Sequence, residues 1–284
     1  MANFASIGID GSGSTRNRVT NAIALASQRT GVDFGYLLGQ AKIESSLNPT
    51  AKAGTSSATG LYQFVDQSWL GVVNQHGREY GLGWAADAIG QTSTGQYYVS
   101  DPNLRQQILD LRNHPETASV MAAEHAADNK ARLESSLGRE AQPVDLYLAH
   151  FLGVGGATKF LATYDQYPGA SGASLFPSAA RANRSIFYDK AGNPRSLSEI
   201  RNNFANKLQQ GTAGAMAAAG TSWAGRADDD DFSDAAAALQ SEQPADYART
   251  ETARLQNSIS AEDLIRPQPQ TARLAYLMLA TLGR

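Results

Sequence analysis

Hydrophobic positions follow a helical period over most of the first 210 residues. Between residues 17 and 29, apolar side chains occupy positions 19, 22, 23 and 26, the spacing of one helix face. Asp33 is suited to cap the next helix, which must end before Pro49, because the residue before a proline is disfavoured in helical geometry. Further helices are predicted over Asp66 to His76, Pro115 to Leu137 and Pro143 to Leu161.

One stretch departs from this period. Residues 88–91 and 96–99 flank the turn-forming sequence Thr92-Ser-Thr-Gly95, which predicts a small β-hairpin. The predicted fold class is therefore α+β and predominantly α-helical.

The composition changes near position 211, where the chain becomes rich in Ala, Gly, Ser and Asp. We interpret residues 15–210 as the main domain and residues 211–259 as a flexible linker, acidic at Asp228–Asp231. Residues 260–284 are predicted to hold a short C-terminal helix. That helix either folds back on the main domain or docks a protein partner.

Composition excludes several classes of function. The chain has 284 residues, 42% of them hydrophobic, and a formal net charge of -3, which predicts a globular protein without a nucleic-acid partner. The absence of cysteine excludes disulfides and thiolate nucleophiles. Leu274–Leu282 is too short to span a membrane, and residues 1–20 do not resemble a signal peptide. If the protein acts outside the cytoplasm, we expect another export route.

Glu44 is the main candidate for chemistry. It lies in the last turn of the helix that Asp33 begins, where the negative end of the helix dipole disfavours an added anion. The residues one and two turns back, Leu37, Gln40 and Ala41, are mostly apolar. Both effects predict a raised pKa, as a carboxylic acid needs in order to protonate a leaving oxygen near neutral pH.

Four segments in order resemble one enzyme family. Glu44-Ser45 is followed 19 residues later by the Gln of Gly-Leu-Tyr-Gln-Phe. Residues 111–124 and Tyr147-Leu-Ala-His-Phe-Leu-Gly complete the set. This combination resembles the soluble type of lytic transglycosylase and related phage endolysins, in the lysozyme-like superfamily. The resemblance covers most of residues 30–165.

The resemblance implies a lysozyme-like fold whose cleft binds the glycan strand of peptidoglycan. Glu44 would protonate the oxygen between N-acetylmuramic acid and N-acetylglucosamine. As a carboxylate, it would then take the proton of the muramic C6 hydroxyl, which attacks its own anomeric carbon. The product carries a 1,6-anhydro ring, and no obligatory second carboxylate is needed, unlike in most glycosidases.

The resemblance also implies the substrate-binding residues. Ser45 would bond near Glu44 or the sugar, although a residue at a helix end can also face water. Gln63 would contact an N-acetyl group through its amide. Tyr62 stands where many members have methionine and would line the cleft or pack in the core. Many members read Ala-Tyr-Asn-Ala-Gly where this chain reads Ala-His-Phe-Leu-Gly, so either Tyr147 or His150 takes the role of the family's tyrosine.

Other residues leave alternatives open. Glu124 is a candidate second carboxylate, but a buried ion pair, for example with an arginine, is the preferred interpretation. The four histidines lack the spacing of a zinc site, and we predict no cofactor. Four aromatic residues are candidates for stacking on sugars or for the core: Trp69, Trp84, Tyr97 and Tyr98.

The leading functional hypothesis is a peptidoglycan lytic transglycosylase acting in the periplasm or cell wall, reached by non-standard export or by phage-type release. The alternatives are a muramidase that hydrolyses the same bond and a non-catalytic assembly factor that binds peptidoglycan and recruits a partner.

Overall fold

A computed structural model describes residues 11–54 and 56–219 of the chain, which are mainly helical. The helices are α1 (Gly11–Thr30), α2 (Phe34–Ser45), α3 (Asp66–His76), α4 (Gly83–Ala88), α5 (Pro102–Asp110), α6 (Pro115–Leu137), α7 (Pro143–Gln166), α8 (Gly172–Leu175), α9 (Pro177–Ala182), α10 (Arg184–Phe187) and α11 (Leu197–Ala219). Two short 3-10 turns span Gly77–Tyr80 and Leu111–Asn113. The predicted predominance of helix is confirmed, with α3 and α6 at the predicted bounds.

The predicted hairpin is present as two antiparallel strands, β1 (Gly90–Gln91) and β2 (Tyr97–Tyr98). Gly90 pairs with Tyr98, and a Cβ at Gly90 would lie 2.7 Å from the Tyr98 ring, so a larger residue there would require this exposed ring to move. The side-chain amide of Gln67 donates to the carbonyl of Tyr97 and accepts from its N–H, both at 2.9 Å. These bonds fix the hairpin to α3.

Helix α6 lies at the centre of the core and contacts α1, α2, α3 and α7. Its inward side carries mostly small residues, so its neighbours approach closely. Met121 and Leu133 fill the larger gaps and are fully buried. Because burial of apolar area is the main favourable contribution to folding, this central helix holds the surrounding helices in place.

Helix α11 runs through position 211, where the domain boundary was predicted, and that boundary is therefore wrong. Gly211 is buried against α2: a Cβ there would meet the carbonyl oxygen of Gly39 at 3.0 Å. The hydroxyl of Thr212 donates to the carbonyl of Gly35 at 2.7 Å. The small residues that resembled a linker are the ones that let two helices pack closely.

Two further predictions concern the C-terminal part of the chain. The linker from residue 220 onward and the C-terminal helix within 260–284 lie outside the described residues. Among the helices of residues 11–219, none is both long and apolar enough to cross a membrane.

The contact between α2 and α11 gives a prediction for stability. At Gly39, an added Cβ would lie 2.5 Å from the Thr212 hydroxyl oxygen and 3.0 Å from the Leu208 carbonyl oxygen. We expect Gly39→Ala to lower the free energy of unfolding by about 1–3 kcal/mol, because overpacking forces the helices apart. Urea denaturation measures this.

Gly214 is the matched control, because it lies on the exposed side of α11 with nothing within 4 Å of an added Cβ. There, alanine should be neutral or stabilising by up to about 1 kcal/mol through helix propensity. Equal effects of the two substitutions would contradict the close packing.

Candidate active site

Glu44 lies in the last turn of α2, as predicted. Asp33 caps the start of this helix by accepting a 2.7 Å hydrogen bond from the N–H of Tyr36. The helix ends at Ser45, and Ser46 adopts a left-handed conformation (φ 55°) that turns the chain away. The Glu44 side chain is left 20% exposed, neither fully buried nor free in water.

Two side chains of α7 approach the same oxygen of Glu44. The hydroxyl of Tyr147 donates to Oε1 at 3.1 Å, and Nε2 of His150 lies 3.4 Å from Oε1. Tyr147 and His150 are one helical turn apart and therefore face the same side. Within the described part of the chain, Oε2 has no hydrogen-bond or ion-pair partner. Both candidates for the family's tyrosine thus contact the carboxylate, with Oε2 left for another group.

The pKa of Glu44 is lowered, so the expected raised pKa is wrong. Burial is the largest influence and raises the pKa, but three groups outweigh it together: His150 by hydrogen bond and charge, Tyr147 by hydrogen bond, and Lys207 by charge. All three are more than 100 positions away along the chain. The helix-end argument described only the neighbours of Glu44 in sequence, and these distant groups reverse its sign.

Ser45 connects α2 to the following loop. Its hydroxyl lies 2.8 Å from the carbonyl oxygen of Leu61 and 3.0 Å from that of Ala41, and hydrogen-bonds to these backbone groups. These contacts agree with the prediction that Ser45 hydrogen-bonds near Glu44, and not with the alternative of a side chain that only faces water; contact with a sugar stays a prediction. The residue holds the Gly-Leu-Tyr-Gln-Phe loop beside Glu44.

Gln63 and Tyr62 have different positions in that loop. Gln63 has a positive φ of 50°, and its amide nitrogen donates to the carbonyls of Gly60 and Ala51 at 2.9 and 3.2 Å. Its amide oxygen has no partner among the described residues. Tyr62 is only 1% exposed and packs in the core, the second of its two predicted alternatives, rather than lining the cleft.

Arg112 fixes the Gly-Leu-Tyr-Gln-Phe loop through hydrogen bonds, a role that the sequence did not predict. One of its terminal nitrogens, Nη1, lies 2.9 Å from the carbonyl oxygens of Ser57 and Phe64 and from Oδ1 of Asp66. Gly60 (φ 84°) sits against its backbone, because a Cβ there would lie 2.0 Å from the Arg112 carbonyl oxygen. Only glycine permits both this φ and this approach.

Glu124 does not contact Glu44. It accepts a hydrogen bond from the Tyr80 hydroxyl, and its Oε2 lies 3.5 Å from Nδ1 of His76. Nε2 of His76 lies 3.0 Å from Asp128. Glu124 is therefore part-buried beside a histidine and a tyrosine, and no arginine, the example given for an ion-pair partner, contacts it among the described residues.

His76 and Glu124 also belong to a cluster of possible metal ligands, the one found in the described part of the chain. His76, Glu79 and Glu124 offer atoms within 4.8 Å of one another. Hydrogen bonds and ion pairs among these residues, Asp128 and Tyr80 account for the cluster without a cation. None of the residues in this cluster contacts Glu44.

The aromatic candidates divide by exposure. Trp69 is fully buried and its indole N–H donates to the carbonyl of Ile108 at 2.7 Å, so it belongs to the core. Tyr97 is partly buried beside α3. Trp84 and Tyr98 are 36% and 48% exposed and remain available to stack on a sugar.

Comparison with protein families gives no match for this chain. The resemblance therefore depends on the four short segments alone. In the structure, the segments that contain Glu44 and Tyr147 meet at the Glu44 carboxylate, and Arg112 of a third segment bonds to the loop formed by the remaining one.

Sequence reasoning missed a further layer around Glu44. His125 and His150 line one crevice with Tyr36 and Gln40. Burial, together with the charge of His150, lowers the pKa of His125 to about 4, so His125 is neutral near neutral pH. Burial and the charge of Glu44 raise the pKa of Tyr147, which keeps its hydroxyl protonated as a donor.

Removing His150 should raise the pKa of Glu44. Since His150 is the largest of the influences that lower this pKa, we expect His150→Gln to move the carboxyl titration of Glu44 to higher pH. A carboxyl group with a depressed pKa stabilises the fold above its ordinary pKa and loses that contribution as pH falls through the depressed value. The stability gained from Glu44 should therefore shrink in this variant.

The measurement is carbon-13 NMR of the Glu44 carboxyl group, assigned by its disappearance in Glu44→Gln. His76→Gln is the control, because His76 faces Glu124 rather than Glu44. An unchanged or lower pKa in His150→Gln would contradict the assignment.

Proposed function

We propose that this protein is a lytic transglycosylase that cleaves the β-1,4 bond between N-acetylmuramic acid and N-acetylglucosamine in peptidoglycan. The observation that carries the proposal is the arrangement at Glu44. Tyr147 and His150 occupy Oε1, while Oε2 has no partner in the described chain. A carboxyl group held by one oxygen, with the other directed to a substrate, is suited to transfer protons.

In the proposed reaction, Oε2 of protonated Glu44 gives its proton to the bridging oxygen, and the glycosidic bond breaks. The resulting carboxylate then accepts the proton of the muramic C6 hydroxyl as that oxygen bonds to the anomeric carbon. The N-acetyl group of the muramic acid assists at the anomeric carbon. One carboxyl group thus acts first as acid and then as base, and water is not consumed.

The lowered pKa of Glu44 favours release of its proton to the bridging oxygen, but it also favours the deprotonated carboxylate in the free protein. Tyr147 and His150 stabilise the carboxylate that forms when the proton leaves. A bound glycan would exclude water from the partly exposed side chain, and desolvation raises the pKa of a carboxyl group. Glycan binding would therefore help Glu44 to take up the proton that it donates.

Glu124, the candidate second carboxylate, contacts His76 and Tyr80 rather than Glu44, and we assign it no role in the proposed reaction. A hydrolytic muramidase, the alternative enzyme, commonly uses a second carboxylate to activate water or to act as nucleophile.

We also propose a lysozyme-like arrangement in which the cleft passes Glu44, the Gly-Leu-Tyr-Gln-Phe loop and the hairpin. The free amide oxygen of Gln63 is suited to accept from an N-acetyl N–H, and Tyr98 and Trp84 offer exposed rings. The substrate implies action in the periplasm or cell wall. Recruitment of a protein partner through residues 260–284 remains a hypothesis.

Glu44→Gln tests the proposal. The amide cannot exchange the catalytic proton, so we expect a loss of glycan cleavage of about 100- to 10,000-fold. Glu124→Gln is the matched control, a part-buried glutamate whose contacts lie elsewhere, and it should retain activity where it remains folded. Release of soluble muropeptides from purified sacculi measures cleavage, and co-sedimentation measures binding.

Three outcomes distinguish the hypotheses. Loss of cleavage with retained binding in Glu44→Gln supports an enzyme that uses this residue. Undiminished cleavage in Glu44→Gln would overturn the assignment of Glu44. Binding of sacculi by the unaltered chain without any cleavage would favour the non-catalytic assembly factor.

A further inference from the structure

The contact between Tyr147 and Glu44 is supported from a third helix. Phe204 of α11 is 4% exposed, and its ring packs edge-on against that of Tyr147 with centroids 5.3 Å apart. The same ring lies 5.2 Å from that of Phe151, one turn further along α7. Phe204 thus covers the side of α7 that carries Tyr147 and limits where the tyrosine ring can lie.

The same helix is fixed to α2, which carries Glu44. Thr212 bonds to the carbonyl of Gly35, and Gly211 lies against Gly39 and Ile43, the residue before Glu44. A single rigid helix therefore contacts both the element bearing the carboxylate and the tyrosine that donates to it. The relative position of α2 and α7 at this point depends on α11.

A buried ion pair fixes α11 to the start of α7. Asp145 is fully buried, and its Oδ1 accepts from Nη2 of Arg201 at 2.9 Å and from Nε at 3.2 Å. Arg139 lies 2.8 Å from the other oxygen of Asp145. Since Arg201 precedes Phe204 by three residues, one turn of α11 is held on the α7 segment that leads to Tyr147.

We propose that Phe204 is a positioning residue for the active site, and that it acts by holding the Tyr147 hydroxyl against Oε1 of Glu44. It lies outside residues 30–165, which carry the resemblance, and its ring packs on Tyr147 rather than on the carboxylate that reacts. Its effect on catalysis rests on the proposed function, whereas its effect on the hydrogen bond does not.

The test replaces the ring by a smaller apolar side chain, Phe204→Leu. We expect kcat for muropeptide release to fall about tenfold while KM changes less than about twofold, because catalytic groups are sensitive to displacement. The pKa of Glu44, followed by carbon-13 NMR, should rise because the Tyr147 hydrogen bond lowers it. The other groups acting on this carboxyl are His150 of α7 and Lys207 of α11.

Tyr147→Phe decides whether the effect passes through the tyrosine hydroxyl. In that background, Phe204→Leu should change neither kcat nor the titration of Glu44 any further. If Phe204→Leu changes kcat and the Glu44 pKa equally in the wild-type and Tyr147→Phe backgrounds, the proposal is overturned. The change would then come from displacement of Lys207 or from looser packing of the helices. No effect of Phe204→Leu on the titration would also overturn the proposal.

Phe160→Leu is the control for the loss of a buried ring. Phe160 is fully buried on α7, and its ring stacks on that of Phe176 with centroids 6.2 Å apart, whereas the ring contacts of Tyr147 in the described chain are with His150 and Phe204. It should lower stability without moving the Glu44 titration, and a similar pKa shift in both variants would contradict a specific role for Phe204. If the unaltered chain cleaves no glycan, the proposed function fails, but the titrations still test the positioning role.

Discussion

The hydrogen bond from Tyr147 to Glu44 joins two residues that are 103 positions apart. It forms only if the end of α2 and the middle of α7 are held within hydrogen-bond reach. Helix α6 contacts both of these helices in the core, and α11 also contacts both. The geometry of the carboxylate is therefore a property of four packed helices rather than of the segment that contains Glu44.

Three sets of residues determine the position and pKa of the Glu44 carboxyl group. Tyr147 and His150 hold one oxygen of Glu44, and the proposed reaction uses the other. Around them, Ser45 and Arg112 fix the loop that carries Gln63, using backbone carbonyls as acceptors. Phe204 forms an outer layer that packs on Tyr147. A change in any of these sets should affect the carboxyl group through its position or its pKa.

The sequence predicted helices α1, α2, α3, α6 and α7, the hairpin, and the common face of Tyr147 and His150, because these depend on local period and spacing. The pKa of Glu44 could not be predicted, since it depends on charges brought near by folding. The end of α11 was missed for a different reason. One face of this helix is formed by the buried residues Leu197, Ile200, Phe204, Leu208 and Ala215. Gly211 and its small neighbours interrupt the apolar pattern and therefore resembled a linker.

The central claim is that Glu44 acts as acid and then as base without admitting water. It is tested most directly by digesting sacculi in water enriched in the heavy oxygen isotope and analysing the muropeptides by mass spectrometry. We expect 1,6-anhydromuramic ends that contain no heavy oxygen. Reducing muramic ends labelled at the anomeric position would contradict it and identify a hydrolase.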